Sequence, residues 1–318
     1  MENQIQITDL AQHVGTEIMS FYLVTEKELR DGKNDQYLRL RLKDKTGSIA
    51  GNIWKDAKKE AENFEIGDVI KIKALVVSYK GQIQLSVTKT RFADHSEYDM
   101  SEFLTISKRD PQEMAAELFG YLDSITNPFI NKLLRSIFDD KEFFPRFLAA
   151  PAAKSWHHNY IHGLIEHILS VARLCDFCCA QYPVNRDLLL AGALLHDVAK
   201  VTEYSDTTTI EFTDTGRLIG HLALSDQMIC EHASRILGFP DDILLHLRHL
   251  VLAHHGEYEK ASVRLPQTLE AIVLHLCDNL DAQSTGVAQL IEAMPPDAPW
   301  SEFDKLNNRY YKVYRPSE

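Results

Sequence analysis

The chain has 318 residues, of which 45% are hydrophobic and 25% charged, a composition that is ordinary for a soluble globular protein. Such a length predicts two domains of ~150 residues each. No apolar run approaches the ~18 residues of a membrane span, and residues 1–4 lack the basic and apolar regions of a signal peptide. We therefore expect a cytoplasmic protein with no membrane partner.

The formal net charge of −12 argues against a simple electrostatic attraction to nucleic acid. The charge is uneven, however, because residues 1–95 hold 15 Lys and Arg against 14 Asp and Glu. The acidic excess therefore belongs to the remainder of the chain. The odd count of five Cys, without a recognisable framework, favours buried thiols over structural disulfides.

Residues 1–95 have the pattern of a small β-barrel. Residues 36–42 and 48–54 alternate apolar and polar positions, as half-buried strands do, and a turn signal lies between them. Further strands are predicted at 21–24, 69–77 and 83–87, and a short helix at 56–64. Five strands with a small helix after the third predict an OB-type barrel, so the fold class is multidomain α+β with this barrel first.

Barrels of the OB type commonly bind single-stranded nucleic acid across one face, where basic residues contact phosphates and aromatic rings stack on bases. The candidate contacts are Arg39, Arg41, Lys43, Trp54, Tyr79 and Lys80. The alternative places Trp54 and Tyr37 in the barrel core and leaves the charges solvated. For the whole domain we favour binding of nucleic acid.

Residues 96–150 are predicted to form a linker followed by leading helices. Asp110 before Pro111 and Asn127 before Pro128 each combine an N-cap residue with a proline at the first helical position. Residues 151–318 are predicted to form an all-α domain. Histidine is concentrated there, since 12 of the 14 lie at positions 157–275.

The helical domain presents His and Asp residues at intervals. The apolar run 188–195 leads directly into His196 and Asp197, and Lys200 lies four residues beyond His196, on the same face if the helix continues. Other predicted helices carry His167, His221, the pair His254 and His255, and Asp278. Apolar helices that each present one such residue are how a helical core builds a metal site, and imidazole with carboxylate suits Mn, Fe, Mg or Zn.

This ordered set resembles the HD phosphohydrolase superfamily. The minimal form of that pattern, His…His-Asp…Asp, implies one ion, and the intervening histidines resemble the form that binds two. The implied metal ligands are His167, His196, Asp197, His221, His254, His255 and Asp278. Two-metal sites suit phosphoester hydrolysis, because the ions activate water and stabilise both the attacking and the leaving oxygen.

Two residues are candidate catalytic groups. Asp197 is expected to bridge the two ions, because a carboxylate can span two cations. Lys200 is expected to bind the phosphoryl oxygens and stabilise developing charge, with a solvated surface lysine as the alternative. Upstream, His157, His158 and His162 either line the substrate mouth or have a structural role.

Nearly the full length resembles the YhaM-type 3′-to-5′ exoribonucleases of Gram-positive bacteria. The resemblance is carried by the motifs His-His-Asn-Tyr-Ile-His-Gly-Leu-Ile-Glu-His at 157–167, Gly-Ala-Leu-Leu-His-Asp-Val-Ala-Lys at 192–200, Leu-Ala-His-His-Gly-Glu at 252–257 and His-Leu-Cys-Asp-Asn-Leu-Asp-Ala at 275–282. It implies a manganese-favouring exonuclease that shortens single-stranded RNA from the 3′ end, with DNA as a second option. Ile165 and Ile168 depart from the Leu and Thr expected there, but neither is an implied ligand.

Two other functions compete with this one. The first is an HD-type phosphohydrolase or phosphodiesterase of small or cyclic nucleotides, in which the barrel is a regulatory or assembly domain. The second is a non-catalytic binding protein with a structural metal, against which the open ligand set and Lys200 argue. The sequence leaves the choice among Mn, Fe, Co and Mg open, and also the oligomeric state, with a homo-oligomer as one option.

Overall fold

The structure is a computed structural model that describes residues 4–32, 35–154, 156–205, 210–292, 294–295 and 297–314. Residues 1–3 of the expected N-terminus and the last four residues of the C-terminal tail lie outside this set. The chain forms two compact units, one ending at Ile106 and the other beginning at Ser107. The domain boundaries at 95 and 150 stay predictions. Within the described residues, no helix is both long and apolar enough for a membrane span.

The first unit is a closed β-barrel, which confirms the predicted OB-type architecture. Its strands run around the barrel in the order β1-β2-β3-β5-β4, with β3 and β5 parallel and the other neighbours antiparallel. The strands and the short helix between β3 and β4 are β1 (Glu17–Asp31), β2 (Gln36–Asp44), β3 (Gly47–Ile53), α1 (Ala57–Ala61), β4 (Val69–Tyr79) and β5 (Gln82–Phe92).

Two strands are longer than the sequence predicts. The second half of β1 is mostly polar and exposed, so hydrophobic alternation does not reveal it, yet it pairs with β2 through Asp31. β5 continues to Phe92 for the same reason, because its last residues pair with β4 while their side chains are largely solvated. Backbone pairing, rather than burial, extends both strands.

The barrel has a second, smaller apolar cluster on its outside. Phe103, which is fully buried, packs there with Phe21, Leu23 and Val69, and Tyr98 lies edge-on to the Phe103 ring at 5.4 Å. The polar stretch after β5 thus returns one aromatic side chain to the barrel.

The second unit is mainly helical, with isolated β-bridges at Tyr204–Phe212, Trp300–Lys312 and Asp304–Arg309. Its helices are α2 (Pro111–Ser124), α3 (Pro128–Phe138), α4 (Phe143–Ala149), α5 (Gly163–Cys179), α6 (Arg186–Leu195), α7 (Lys200–Glu203), α8 (Asp214–Leu218), α9 (His221–Ser234), α10 (Asp241–Ala253) and α11 (Leu269–Glu292). Asp110 and Asn127 cap α2 and α3 as predicted, each accepting backbone N–H groups of the first turn.

The centre of this unit is a continuous apolar core that surrounds α6. Leu189, Leu190, Leu194 and Leu195 are all fully buried. Gly192 is required at its position, because an added Cβ would lie 2.8 Å from Leu250 Cδ1 on α10. The apolar helix α6 therefore delivers the residues that follow it into the middle of the bundle.

Helix α6 does not continue to Lys200, as a shared helical face would require. It ends at Leu195, His196 caps it, and a turn follows before Lys200 opens α7. The ion pair between Lys200 and Asp197 forms across this turn, at 2.6 Å between Nζ and Oδ2. The two side chains are brought together by the turn, and not by helical periodicity.

Candidate functional site

Two helices and the turn after α6 bring one group of His and Asp side chains together. His167 Nε2 lies 3.2 Å from His196 Nε2 and 3.2 Å from Asp278 Oδ1. Asp197 Oδ2 is 3.4 Å from the Nε2 atoms of both His167 and His196. These four side chains, from α5, the turn and α11, converge on one point.

A second group meets the other oxygen of the same Asp197 carboxylate. Asp197 Oδ1 lies 3.3 Å from His221 Nε2 and 3.6 Å from His254 Nε2. His255 Nε2 is 3.3 Å from His221 Nε2. The structure thus brings together all seven side chains that the sequence pattern suggests as ligands, with Asp197 between the two groups.

Each of the five imidazoles is fixed through its Nδ1 atom, which donates a hydrogen bond away from the centre. The acceptors are Asp281 Oδ2 for His167 (2.8 Å), the Ala193 carbonyl for His196 (2.9 Å), Glu203 Oε1 for His221 (2.9 Å), the Val251 carbonyl for His254 (2.7 Å) and the Lys260 carbonyl for His255 (2.8 Å). In the neutral rings Nδ1 carries the proton in this arrangement, so the Nε2 lone pairs face the centre, as metal ligation needs.

The electrostatics of the site favour a cation. Burial lowers the pKa of His167, but its contacts with Asp197, Asp278 and Asp281 outweigh burial and raise that pKa well above its usual range. Burial raises the pKa of Asp278, and the neighbouring His167 and His196 reverse this and lower it. Two carboxylates among imidazoles, of which Asp197 is buried and Asp278 partly buried, attract positive charge of any source.

The donor set fits divalent metal ions. Asp197 Oδ1 and His254 Nε2 are buried and lack a hydrogen-bond partner among the described residues. Unpartnered buried polar atoms are costly, and a bound ion would satisfy both. Four groups of three side chains, including His167-His196-Asp278 and His221-His254-His255, place their ligand atoms within 4.8 Å of one another.

Lys200 is not a surface lysine. Only 7% of it is exposed, and its ammonium group lies against Asp197. Burial lowers the pKa of Lys200, but the Asp197 carboxylate outweighs burial and raises it, so the side chain stays cationic. A fixed cation therefore stands at the edge of the His and Asp cluster.

Two residues that support the cluster were not assigned a role from the sequence. Asp281 lies one helical turn after Asp278 on α11 and accepts from His167, His158 and Ser170. Glu203, the last residue of α7, accepts from both the backbone and the ring of His221. The spacing of Asp281 from Asp278 is a signal that could have identified it, whereas nothing in the sequence links Glu203 to His221.

The three upstream histidines differ in their contacts. His158 is buried and bonded to Asp281 Oδ2 (3.0 Å) and to the Tyr160 hydroxyl (2.8 Å). His162 Nδ1 donates to the Leu148 carbonyl (2.6 Å). His157 lies beside His167, with ring centroids 5.1 Å apart, and burial lowers the pKa of His157 to about 3.

The barrel presents an exposed strip on β2 and β3. Arg39 and Arg41 are exposed and lie opposite Asn52 and Ala50, while Lys43 is half-buried, which lowers its pKa. Trp54 is 55% exposed and stacks on Tyr37 with ring centroids 4.7 Å apart. The alternative that buries Trp54 in the barrel core is therefore wrong.

A second aromatic residue lies toward the other end of β3. Tyr79 is 60% exposed, and Lys80 Nζ lies 5.5 Å from the centre of its ring, in the turn between β4 and β5. Gly51 of β3 pairs in parallel with Leu85 of β5, so that turn lies near the start of β3 and Trp54 follows its end. At the rise per residue of a β-strand, the distance along β3 from that turn to Trp54 is about 20 Å.

Comparison with known proteins gives matches over both units. A family model described as an OB-fold nucleic acid binding domain matches residues 23–92, and one described as an HD domain matches residues 164–283. The second OB-fold domain of replication protein A from Methanococcus maripaludis is 23% identical; the match covers 28% of this chain and 94% of that chain at a TM-score of 0.23.

The fold and the site define a class, in which an OB-fold barrel is followed by a helical HD domain. A 3′-5′ exoribonuclease YhaM of Geobacillus sp. (strain WCH70) is 32% identical, with 92% of this chain and 89% of that protein covered. Another 3′-5′ exoribonuclease YhaM, of Shouchella clausii (strain KSM-K16), is 30% identical, with 96% of this chain and 95% of that protein covered. The chain belongs to the family of these YhaM proteins, as its motifs predict.

Proposed function

We propose that this protein is a metal-dependent 3′-to-5′ exoribonuclease that holds single-stranded RNA on the barrel and hydrolyses the terminal phosphodiester at the HD site. The observation that carries the proposal is the Asp197 carboxylate, whose two oxygens face separate groups of imidazole nitrogens. Membership of a family whose named relatives are 3′-5′ exoribonucleases supports the substrate and the polarity.

His167, His196, Asp197 and Asp278 would hold one divalent ion, and His221, His254, His255 and Asp197 a second. When bound, such ions supply Lewis-acid activation of water and of the phosphate. Manganese is the ion we propose, since mixed imidazole and carboxylate donors suit it, with iron, cobalt and magnesium as the competitors to be tested. Asp281 and Glu203 orient the rings of His167 and His221.

Lys200 is proposed to stabilise negative charge on the reacting phosphoryl group. In the reaction the oxygen of water bonds to phosphorus, the bond from phosphorus to the 3′-oxygen of the preceding nucleotide breaks, and that oxygen ends with a proton. A buried ammonium held in place before the reaction stabilises the charge that develops on phosphate oxygens without reorganising.

The strip on the barrel is proposed to hold the strand. Trp54 with Tyr37 at one end and Tyr79 at the other offer rings for stacking. Arg39 and Arg41 between them are exposed, with Glu28 and Glu26 opposite them on β1. A cationic strip flanked by exposed aromatic rings is the usual means of binding a single strand without sequence preference. We propose that the polymer is RNA and that the protein acts in the cytoplasm.

The test is digestion of single-stranded RNA labelled at the 3′ or the 5′ end, with Mn²⁺, by the wild type and by Asp197→Ala. We expect stepwise shortening from the 3′ end that is lost in the variant. A DNA strand of the same sequence establishes the preference between the polymers. If the wild type leaves RNA intact but hydrolyses mononucleotides or cyclic dinucleotides, the small-nucleotide alternative replaces this proposal.

A further inference from the structure

The ring nitrogens of His157, beside the His and Asp cluster, are buried without any hydrogen bond. Both of its ring nitrogens are inaccessible to solvent and have no partner among the described residues. The neighbouring His158, His162 and His167 all have partners for their rings. Because buried polar groups in folded proteins are nearly always hydrogen-bonded, this exception requires an explanation.

The absence of a partner is not explained by a loosely held segment. Trp156 lies so close to α11 that a Cβ on Gly286 would be 2.2 Å from its ring. His158 adopts a left-handed conformation with φ of 49°, is bonded to Asp281 and receives the Ala152 N–H at its carbonyl (3.1 Å). His157 is thus held between two anchored residues, and its own ring contributes no bond to that anchoring.

The position of His157 points to the reacting group. Its ring lies against His167, and Lys200 and Asp278 are close enough to act on it electrostatically. It therefore lies on the same side of Asp197 as the first ligand group and the fixed cation. Because both nitrogens are inaccessible to solvent in the ligand-free protein, a phosphate attracted by that cation meets an imidazole N–H once the side chains that cover the ring move aside.

We propose that His157 is a substrate-contacting residue whose imidazole N–H donates a hydrogen bond to an oxygen of the phosphate on which the HD site acts. This inference rests on the proposed function and adds a residue to it. It also accounts for the unpartnered ring. A polar group reserved for a ligand makes the ligand-free protein less stable, and its hydrogen bond forms only when the ligand binds.

The experiment replaces His157 with Phe, which keeps a flat ring and removes the donors. We expect kcat/KM on single-stranded RNA to fall at least tenfold and the affinity for adenosine 5′-monophosphate to fall about as much. The reason is that one hydrogen bond to a charged group contributes about a factor of ten or more to affinity. The melting temperature should hold or rise, and bound metal, measured by elemental analysis, should be unchanged.

The matched control is His162→Phe, in the same segment, which breaks the bond to the Leu148 carbonyl and should lower the melting temperature. His157→Gln keeps an N–H and should recover part of the affinity for adenosine 5′-monophosphate. If His157→Phe melts lower than the wild type, or keeps full nucleotide affinity and activity, the inference is overturned.

The nucleotide-binding measurement separates this inference from the proposed function, since it needs no turnover of RNA. If the wild type fails to shorten RNA but binds the nucleotide through His157, the proposed function is wrong and the phosphate contact stands. If the wild type shortens RNA and His157→Phe does so equally well, the proposed function stands and the inference is wrong.

Discussion

Lys200 is the residue at which an effect on catalysis can best be distinguished from an effect on metal binding. It is a buried cation paired with Asp197, yet it offers no lone pair to a metal while it is protonated. Its charge therefore acts on the substrate, whereas the imidazoles and carboxylates act on the ions.

We predict that Lys200→Met lowers kcat by about 10²- to 10³-fold, the usual loss when one preorganised donor is removed, while bound Mn²⁺ stays near the wild-type amount. Single-turnover kinetics and elemental analysis check the two parts separately. Lys200→Arg is the control that keeps the charge. A Met variant with unchanged kcat would show that the lysine only neutralises Asp197.

At the same scale, Trp54 tests the barrel strip. Trp54→Ala should raise KM for a long single strand by about 5- to 100-fold, because stacking of one base on an aromatic ring contributes ~1–3 kcal/mol. A dinucleotide, which offers no further bases for stacking on the strip, should be hydrolysed at the wild-type rate. Trp300→Ala, an exposed tryptophan outside the barrel, is the matched control. Equal effects on both substrates would argue against strand binding by Trp54.

At the scale of helices and turns, the sequence predicts some parts of the site and not others. The seven candidate ligands are identifiable because each stands next to an apolar helical run, such as 188–195 before His196. Glu203 is not identifiable, because no spacing or motif in the sequence links it to His221, whose ring it contacts. The turn at 196–199 was also missed, since the pattern there fits a continuing helix as well as a break. Which residues contact RNA stays a prediction.

One element-scale prediction concerns the packing of Trp156 on α11. Gly286→Ala forces the indole ring away, since the added Cβ would lie 2.2 Å from it, and overpacking of this kind costs about 1–3 kcal/mol. The free energy of unfolding in urea should fall by that amount, with a further loss of activity through displacement of His157. Gly120→Ala in α2 is the control, because its Cβ would meet nothing within 4 Å. Equal stability of the two variants would contradict the close contact.

For the whole molecule, the ligands connect elements that are distant along the chain. His167 is on α5 and Asp278 on α11, so an ion bound between them stabilises the packed bundle and has no ligand in the barrel. Ligands that bind only the folded state add ~2.7 kcal/mol at a hundredfold excess over Kd.

We predict that removal of metal by a chelator lowers the melting temperature and increases amide exchange in α5 and α11, with β1 to β5 unchanged. Hydrogen–deuterium exchange read by mass spectrometry resolves the two units. Restoring Mn²⁺ should reverse the change, and Asp197→Ala should be insensitive to the chelator. Exchange that rises equally in the barrel would mean that the ions stabilise more than the bundle.

The position of Asp278 near the end of the chain has a consequence during synthesis. The barrel is complete once β5 has been made, at Phe92, but the metal centre lacks a ligand until α11 has left the ribosome. Domains generally fold as units, the N-terminal one first. On the proposed function, the RNA-binding barrel of a nascent chain can therefore be complete well before its nuclease site.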